Sequence, residues 1–408
     1  MKWTPRVCAV AAVLCAVLWP GRASAQTTTE TGLSPRQLFI RMTSGAGSAG
    51  GVSNVGEVIA DLVGLEVSTA PLGSSAGGFT FTFDPVTRSF SRAAPSFGPM
   101  FGERAVTAGE GRANFGINFI RTTYDTLEGV DLRAGGLETI SLDTATSTLI
   151  RGALLMEIKT DTVVFFANVA MNNWFDLGVA VPYVNLQMTG THQLTNMARN
   201  LVEEEIRGET SHRGLGDMAI RGKLRLWKKE QGGIALGVDA RLPTADKEAL
   251  VGAGVTRTAV SGIWSDTFGR IAPHASAGFE YWSDPFQIYS PLTGAAMDAG
   301  QHAIVYSAGV EWAASDRLTV NGELTGRDVQ DGGRLAYSDI NWGPNPFGIT
   351  KLSIASVGAS GLKQLSAGAG VKWNFAGAAL VTANVLFPLD DTGLRDKMTP
   401  IIGLDWGF

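Results

Sequence analysis

From about residue 112 to the C-terminus the chain alternates with period two, and beyond the first 25 residues it has no run of the roughly 18 apolar residues that a membrane-crossing helix needs. In Arg317–Arg327 one parity reads Leu318, Val320, Gly322, Leu324 and Gly326, and the other Arg317, Thr319, Asn321, Glu323, Thr325 and Arg327. Ala303–Ala313 opposes Ile304, Tyr306, Val310 and Trp312 to Ser307, Gly309 and Glu311. Asp217–Trp227 opposes Met218, Ile220, Leu224 and Leu226 to Asp217, Arg221, Lys223 and Arg225. Successive side chains of a strand face opposite ways, so each segment is a ribbon with one apolar and one polar side.

An antiparallel sandwich alternates in the same way. Three further features favour a transmembrane antiparallel up-and-down β-barrel, an all-β fold. Short connections, near Asn172–Asn173, Lys229–Gly232, Ser265–Phe268, Ala314–Asp316 and Phe375–Gly377, alternate with long ones. Trp174, Trp227, Trp264, Trp312, Trp373 and Trp406 all fall at the short-turn ends, as an interfacial aromatic girdle requires. The chain closes on Ile402, Leu404, Trp406 and Phe408 on one face, resembling the terminal strand read by the outer-membrane assembly machinery. Segments of spanning length number twelve, and Phe79–Phe83 with Arg104–Gly109 would raise the count to fourteen. Pro182 and Pro273 fall inside spanning segments, where bulges are expected because each removes a ladder hydrogen bond.

The first 25 residues read as a secretory signal: Lys2 and Arg6, an apolar stretch from Val7 to Trp19, then Ala23-Ser24-Ala25, with cleavage expected before Gln26. Both cysteines, Cys8 and Cys15, would leave with it. Loss of Lys2, Arg6 and Arg22 moves the net charge from −5 to −8. No basic surface remains for a nucleic acid. Residues 26–77 are rich in Gly, Ser and Thr. Asn54 and Glu57 resemble a helix capping box, followed by Val55, Val58, Ile59, Leu62 and Val63 at helical spacing. This segment is expected to plug the lumen or to lie in the periplasm, with residues 78–408 forming the barrel.

No catalytic motif is found. The four histidines, His192, His212, His274 and His302, are scattered without metal-ligand spacing, so no cofactor or metal is expected. His274 and Ser276, on one face, are the nearest approach to a nucleophile–base pair, and a lumen-lining polar pair is favoured over it. Arg221, Arg225, Asp239, Arg241, His274, Glu280, Glu311, Arg317, Glu323 and Arg327 are expected to line the lumen and to rigidify the wall by mutual pairing. In the loop Thr189–Arg213 the near-helical spacing of Leu194, Met197, Leu201, Val202 and Ile206 suggests a helical apolar stripe, either a surface that captures substrate or one packed on neighbouring loops.

The run Gly214-Leu-Gly-Asp-Met-Ala-Ile-Arg-Gly-Lys-Leu-Arg-Leu-Trp227, followed by Gly232-Gly-Ile-Ala-Leu-Gly-Val-Asp-Ala-Arg-Leu-Pro-Thr244, resembles the meta-pathway phenol-degradation family of outer-membrane proteins. Trp174–Pro182 and Phe268–His274 fit the same pattern, and the likeness runs from about Asn114 to Phe408. The family is grouped with the fatty-acid-transporter type, whose barrels carry an N-terminal hatch. The resemblance implies passive uptake of small hydrophobic, often aromatic, compounds and no enzyme. A structural or surface-interaction barrel with a closed lumen, or a general porin, would be the alternatives. The partners implied are outer-membrane lipid and lipopolysaccharide, the barrel assembly machinery through Phe408, and a small hydrophobic ligand.

Overall fold

A computed structural model of the chain describes residues 26–44, 53–69, 73–74, 81–84, 89–92, 95–143, 148–229, 232–284, 286–289, 296–300, 302–330, 334–341, 351–358 and 360–407. Twelve antiparallel wall strands form a closed barrel. They are β1 (Ala113–Leu127), β2 (Thr148–Ala170), β3 (Phe175–Asn196), β4 in two segments (Leu201–Leu215 and Met218–Lys229), β5 (Gly232–Leu242) and β6 (Arg257–Ser265). The second half is β7 (Ile271–Trp282), β8 (His302–Ser315), β9 (Leu318–Val329), β10 (Leu362–Asn374), β11 (Ala379–Pro388) and β12 (Thr399–Gly407). β12 closes on β1 through pairs from Ile401↔Ile120 to Gly407↔Asn114. Closure removes the free edges that lipid could not satisfy.

The apolar parity of the ribbons faces out. Phe115, Phe119, Leu177, Ile220, Leu236, Val260, Ile304, Val310, Leu324 and Leu404 are all exposed. In water such a belt would be an aggregation surface; facing acyl chains it is the stable arrangement. The six tryptophans of the short-turn end are also exposed, from 42% for Trp264 to 56% for Trp227. Trp282 is different. It is fully buried, turned into the lumen, and donates its Nε1–H to Glu280 at 2.6 Å. On β1 and β2 the outward apolar residues give way to an exposed Arg121–Asp161 ion pair at 2.7 Å, which marks the upper boundary of the belt. Above it β2, β3 and β4 continue as a tall projection carrying Lys159, Glu157 and Arg151.

Both prolines sit where the ladder is already interrupted. Residues opposite each other in an antiparallel pair point N–H and C=O to the same side. The Pro182 carbonyl accepts from Gly216, so its missing N–H faces the break between the two segments of β4. There Tyr183 pairs with Leu215 and Ala180 with Ala219, leaving one extra residue on β4, a bulge. Residues 243–256 stitch this break: Asp217 accepts from the Ala245 and Ala253 amides, and Thr244 bridges Met218 and Gly216. Pro273 faces Asp266, where β6 gives way to its turn, and its pairing with β8 runs without a bulge.

Residues 26–44 and 53–69 lie at the long-loop end. Gln26–Glu30 adds a short parallel strand to β4 at Glu204–Gly208, an edge left free because β5 stops at Leu242, opposite Met218. Helix α1 (Pro35–Ser44) opens with a reciprocal capping box: Gln37 N–H donates to Ser34 Oγ at 3.2 Å, and Ser34 N–H to Gln37 Oε1 at 3.1 Å. Pro35 takes the first helical position, where a missing N–H is harmless. Helix α2 (Ser53–Ser68) covers the predicted helical stretch. It crosses α1 closely at Gly56, where a Cβ would lie 2.3 Å from Thr43 Oγ1. Leu38, Phe39, Met42, Ile59, Val63 and Leu65 bury with Met156, Leu186, Met188 and Ile206 of the tall projection. Each such side chain contributes about 1.5–3 kcal/mol when removed from water.

The fourteen-strand alternative is overturned. Phe81–Asp84 pairs with Ser89–Arg92 in a separate two-stranded hairpin, and residues 104–109 form no strand. The reason is geometric: the first and last wall strands already pair with each other. The signal-like residues 1–25, the prospective cleavage junction and Phe408 lie outside the described residues.

Candidate functional site

At the short-turn end the lumen is occupied by an extended stretch, residues 95–108, held by the polar parity of the wall. The Glu323 carboxylate accepts from three successive amides, Met100, Phe101 and Gly102, the latter two at 2.9 Å. Glu311 takes the Arg104 guanidinium through two hydrogen bonds, one of them 2.9 Å. Lys372 Nζ donates to the Pro99 carbonyl at 2.7 Å, Thr319 Oγ1 accepts from Phe97 N–H at 3.0 Å, and Ser265 Oγ from Ala105 N–H at 3.0 Å. Phe97, Arg104, Ala105 and Ala108 are all at least 97% buried. A carboxylate accepting three N–H groups is a charge-assisted anchor that an irregular buried backbone requires.

The inward residues expected to pair with one another therefore divide into two groups. Arg221 binds Asp239 at 2.6 Å and Arg327 binds Glu280 at 2.7 Å, which are wall-to-wall pairs. Glu311 and Glu323 instead hold residues 95–108, together with Lys372 and Thr319. Arg225 donates to the Lys229 and Gly232 carbonyls at the turn. His274 lies buried with its ring nitrogens 3.6 Å from both Glu311 and Glu323. Ser276 hydrogen-bonds Ser307 at 2.8 Å rather than His274. Arg317, expected in the lumen, is exposed in the turn between β8 and β9. The parity fails there because Ser315, bonding the Arg317 amide, bends the chain out of the strand, with a register shift between Ala313 and Ser315.

The loop Thr189–Arg213 is the larger correction. It is not helical. β3 runs to Asn196 and β4 starts at Leu201, so Leu194, Met197, Leu201, Val202 and Ile206 sit on a hairpin and not on one helical stripe. Alternation then splits them: Leu194 and Ile206 are buried, whereas Met197, Leu201 and Val202 are half-buried around the tip. Gly190 and Gly208 pair across this hairpin, and α1 lays Met42 and Leu38 against them. A Cβ on Gly208 would come within 2.4 Å of Leu38. The neighbouring His192 is buried; desolvation first, then the Arg41 charge, lowers its pKa to about 4, so it is neutral at pH 7.

Between the two occupied ends lies a cavity of about 330 Å³. Arg221, Arg241, Arg257 and Arg327 line one side with Asp239 and Glu280, and Tyr124, Phe101 and Leu394 supply apolar surface. Arg257 was not among the expected lumen residues, although its parity with Ala259 and Ser261 marks it as inward.

Residues 143–281 match the family model described as "Putative MetA-pathway of phenol degradation". The resemblance read from the Gly214–Thr244 hairpin holds. No curated protein matches the sequence. Solved structures similar in outline include an outer-membrane channel from Pseudomonas putida F1, at 10% identity over 73% of this chain and 96% of that one, TM-score 0.45. The toluene transporter TbuX of Ralstonia pickettii matches at 10% identity over 74% and 90%, TM-score 0.37. A FadL homologue from Pseudomonas aeruginosa matches at 13% over 83% and 96%, TM-score 0.33.

Proposed function

We propose that this barrel lies in the outer membrane and is a gated channel for passive uptake of small hydrophobic compounds, aromatic ones included. The observation that carries the reading is the occupation of the lumen by helices α1 and α2 and by residues 95–108. An apolar cluster lies at the long-loop end and a hydrogen-bonded stretch at the other. A general porin needs a standing aqueous path; a barrel filled in this way conducts only when the filling moves. When the buried apolar cluster between the helices and the wall at the long-loop end parts, it would expose a surface on which an apolar solute partitions before it enters, and the family match over residues 143–281 points to the same solutes. The 330 Å³ cavity would then be a waiting position between two constrictions. No catalytic step is part of this reading.

Planar-bilayer recording tests the filling directly. The wild-type protein is expected to show little steady conductance. Deleting Gln26–Gly77 alone should leave it low, because residues 95–108 still occupy the short-turn end, whereas deleting 26–109 should produce a stable large conductance. High steady conductance in the wild type would instead favour a porin. A deletion of 26–109 that folds but stays silent would favour a closed structural barrel.

A further inference from the structure

We infer that the arginine side of the central cavity is a binding site for an organic carboxylate, so that the channel accepts small amphiphiles with an apolar body and an anionic head, of which benzoate is the simplest probe. The inference rests on the channel reading and names a substrate class for it.

Arg241 and Arg257 face each other directly across β5 and β6. Like charges directly opposite in a sheet repel, so the register alone disfavours this pair. Burial makes the repulsion harder to relieve: Arg257 is 1% exposed. Arg327 completes the cluster from β9. Its guanidinium and that of Arg257 donate to one hydroxyl, Thr69 Oγ1, at 3.1 and 2.8 Å, while Arg241 and Arg257 share the Ser68 carbonyl at 2.7 and 3.2 Å. Three guanidiniums thus converge on two residues.

The acidic groups nearby are already engaged. Asp239 pairs with Arg221 at 2.6 Å and lies 3.7 Å from Arg241; Glu280 takes Arg327 and the Trp282 indole N–H. Glu103 lies near Arg221 and Lys223, and Glu66 near Arg395 and Gln364. Among the described residues no carboxylate is in contact with Arg257. What it touches is neutral oxygen at the C-terminus of α2, which carries only about half a negative charge. Its Nε, and that of Arg327, are buried without a hydrogen-bond partner. Glu280, already in contact with Arg327, is the carboxylate that attracts Arg257 most, so Arg241, Arg257 and Arg327 draw on one shared counter-charge. A buried cation short of counter-charge is costly, and here it borders a cavity large enough for a small molecule.

The ligand class follows from the surroundings. Guanidinium forks match the planar carboxylate. Tyr124, Phe101 and Leu394 give the same cavity an apolar surface for a hydrocarbon or aromatic body. Ser68 and Thr69 occupy the forks in this structure, so they act as an internal competitor: an incoming carboxylate would displace the end of α2 and loosen the helix that helps fill the long-loop end.

Equilibrium dialysis of the full-length protein in detergent micelles with radiolabelled benzoate, and separately benzamide, tests this. Saturable benzoate binding at least tenfold tighter than benzamide is expected. Arg257→Gln should weaken benzoate at least tenfold, and the double variant S68A/T69V should tighten it severalfold. Equal binding of benzoate and benzamide by the wild type, or no benzoate binding, overturns the site without relying on any variant. So does undiminished benzoate binding by a folded Arg257→Gln. Toluene uptake by the wild type separates the two readings. Uptake without benzoate binding contradicts the carboxylate site alone, and benzoate binding without toluene uptake contradicts the channel.

Discussion

Glu323 shows how much can rest on one residue. Its carboxylate satisfies three backbone donors that no strand or helix could satisfy. Glu323→Ala should leave those buried amides without partners at a cost of about 1–3 kcal/mol each, partly offset by water. The barrel wall should survive. Limited proteolysis of residues 95–108 should accelerate at least tenfold, while heat-modifiable migration, which reports the wall, stays as in wild type. His192 makes a pH prediction at the same scale. Its pKa is lowered from 6.5 to about 4 by burial beneath α1. The docked state therefore binds the proton less readily than the undocked one, and docking weakens as pH falls through 6.5 towards 4. Protease sensitivity of α1 should rise over that window, and His192→Phe should flatten the dependence. Residue identity was easier to read than residue role. The inward parity of Glu323, Glu311 and Arg327 was legible from alternation, but alternation does not reveal the partner. Residues 95–108 have no periodicity of their own, so nothing marked them as what Glu323 and Glu311 would hold. Arg317 failed for a related reason: parity holds only while the strand lasts.

Among the elements, the wall strands were the most legible, since their period-two pattern is imposed by lipid on one face and a filled lumen on the other. The hairpin of β3 and β4 was misread because above the lipid belt that constraint ends. Leu194, Met197, Leu201, Val202 and Ile206 then mimic helical spacing, while the register is set by continuation of the strands below. Helix α1 was missed despite an available signal, Ser34-Pro35-Arg36-Gln37, a capping box with proline at the first helical position. Its seat on Gly190 and Gly208 gives a prediction. Gly208→Val would place a side chain where Leu38 lies, costing roughly 1–3 kcal/mol of overpacking if α1 remains docked. Hydrogen exchange in residues 35–44 should speed up severalfold, and exchange in β8 to β12 should not change.

For the molecule as a whole, the closed wall and the filling are stabilised by different interactions. The wall has ladders running from β1 round to β12 and an apolar belt matched to lipid. The filling is joined to it by side-chain hydrogen bonds, a few ion pairs and apolar clusters, the largest at the long-loop end. In the proposed channel, that division would let part of the chain move while the barrel stays closed to lipid. The central claim is that apolar solutes, not hydrophilic ones, pass by this route. Initial uptake of dilute radiolabelled toluene and of a small sugar should be compared in cells with and without the protein. The account predicts that loss of the protein slows toluene entry severalfold and leaves sugar entry unchanged. Slower sugar entry with unaltered toluene entry would contradict it.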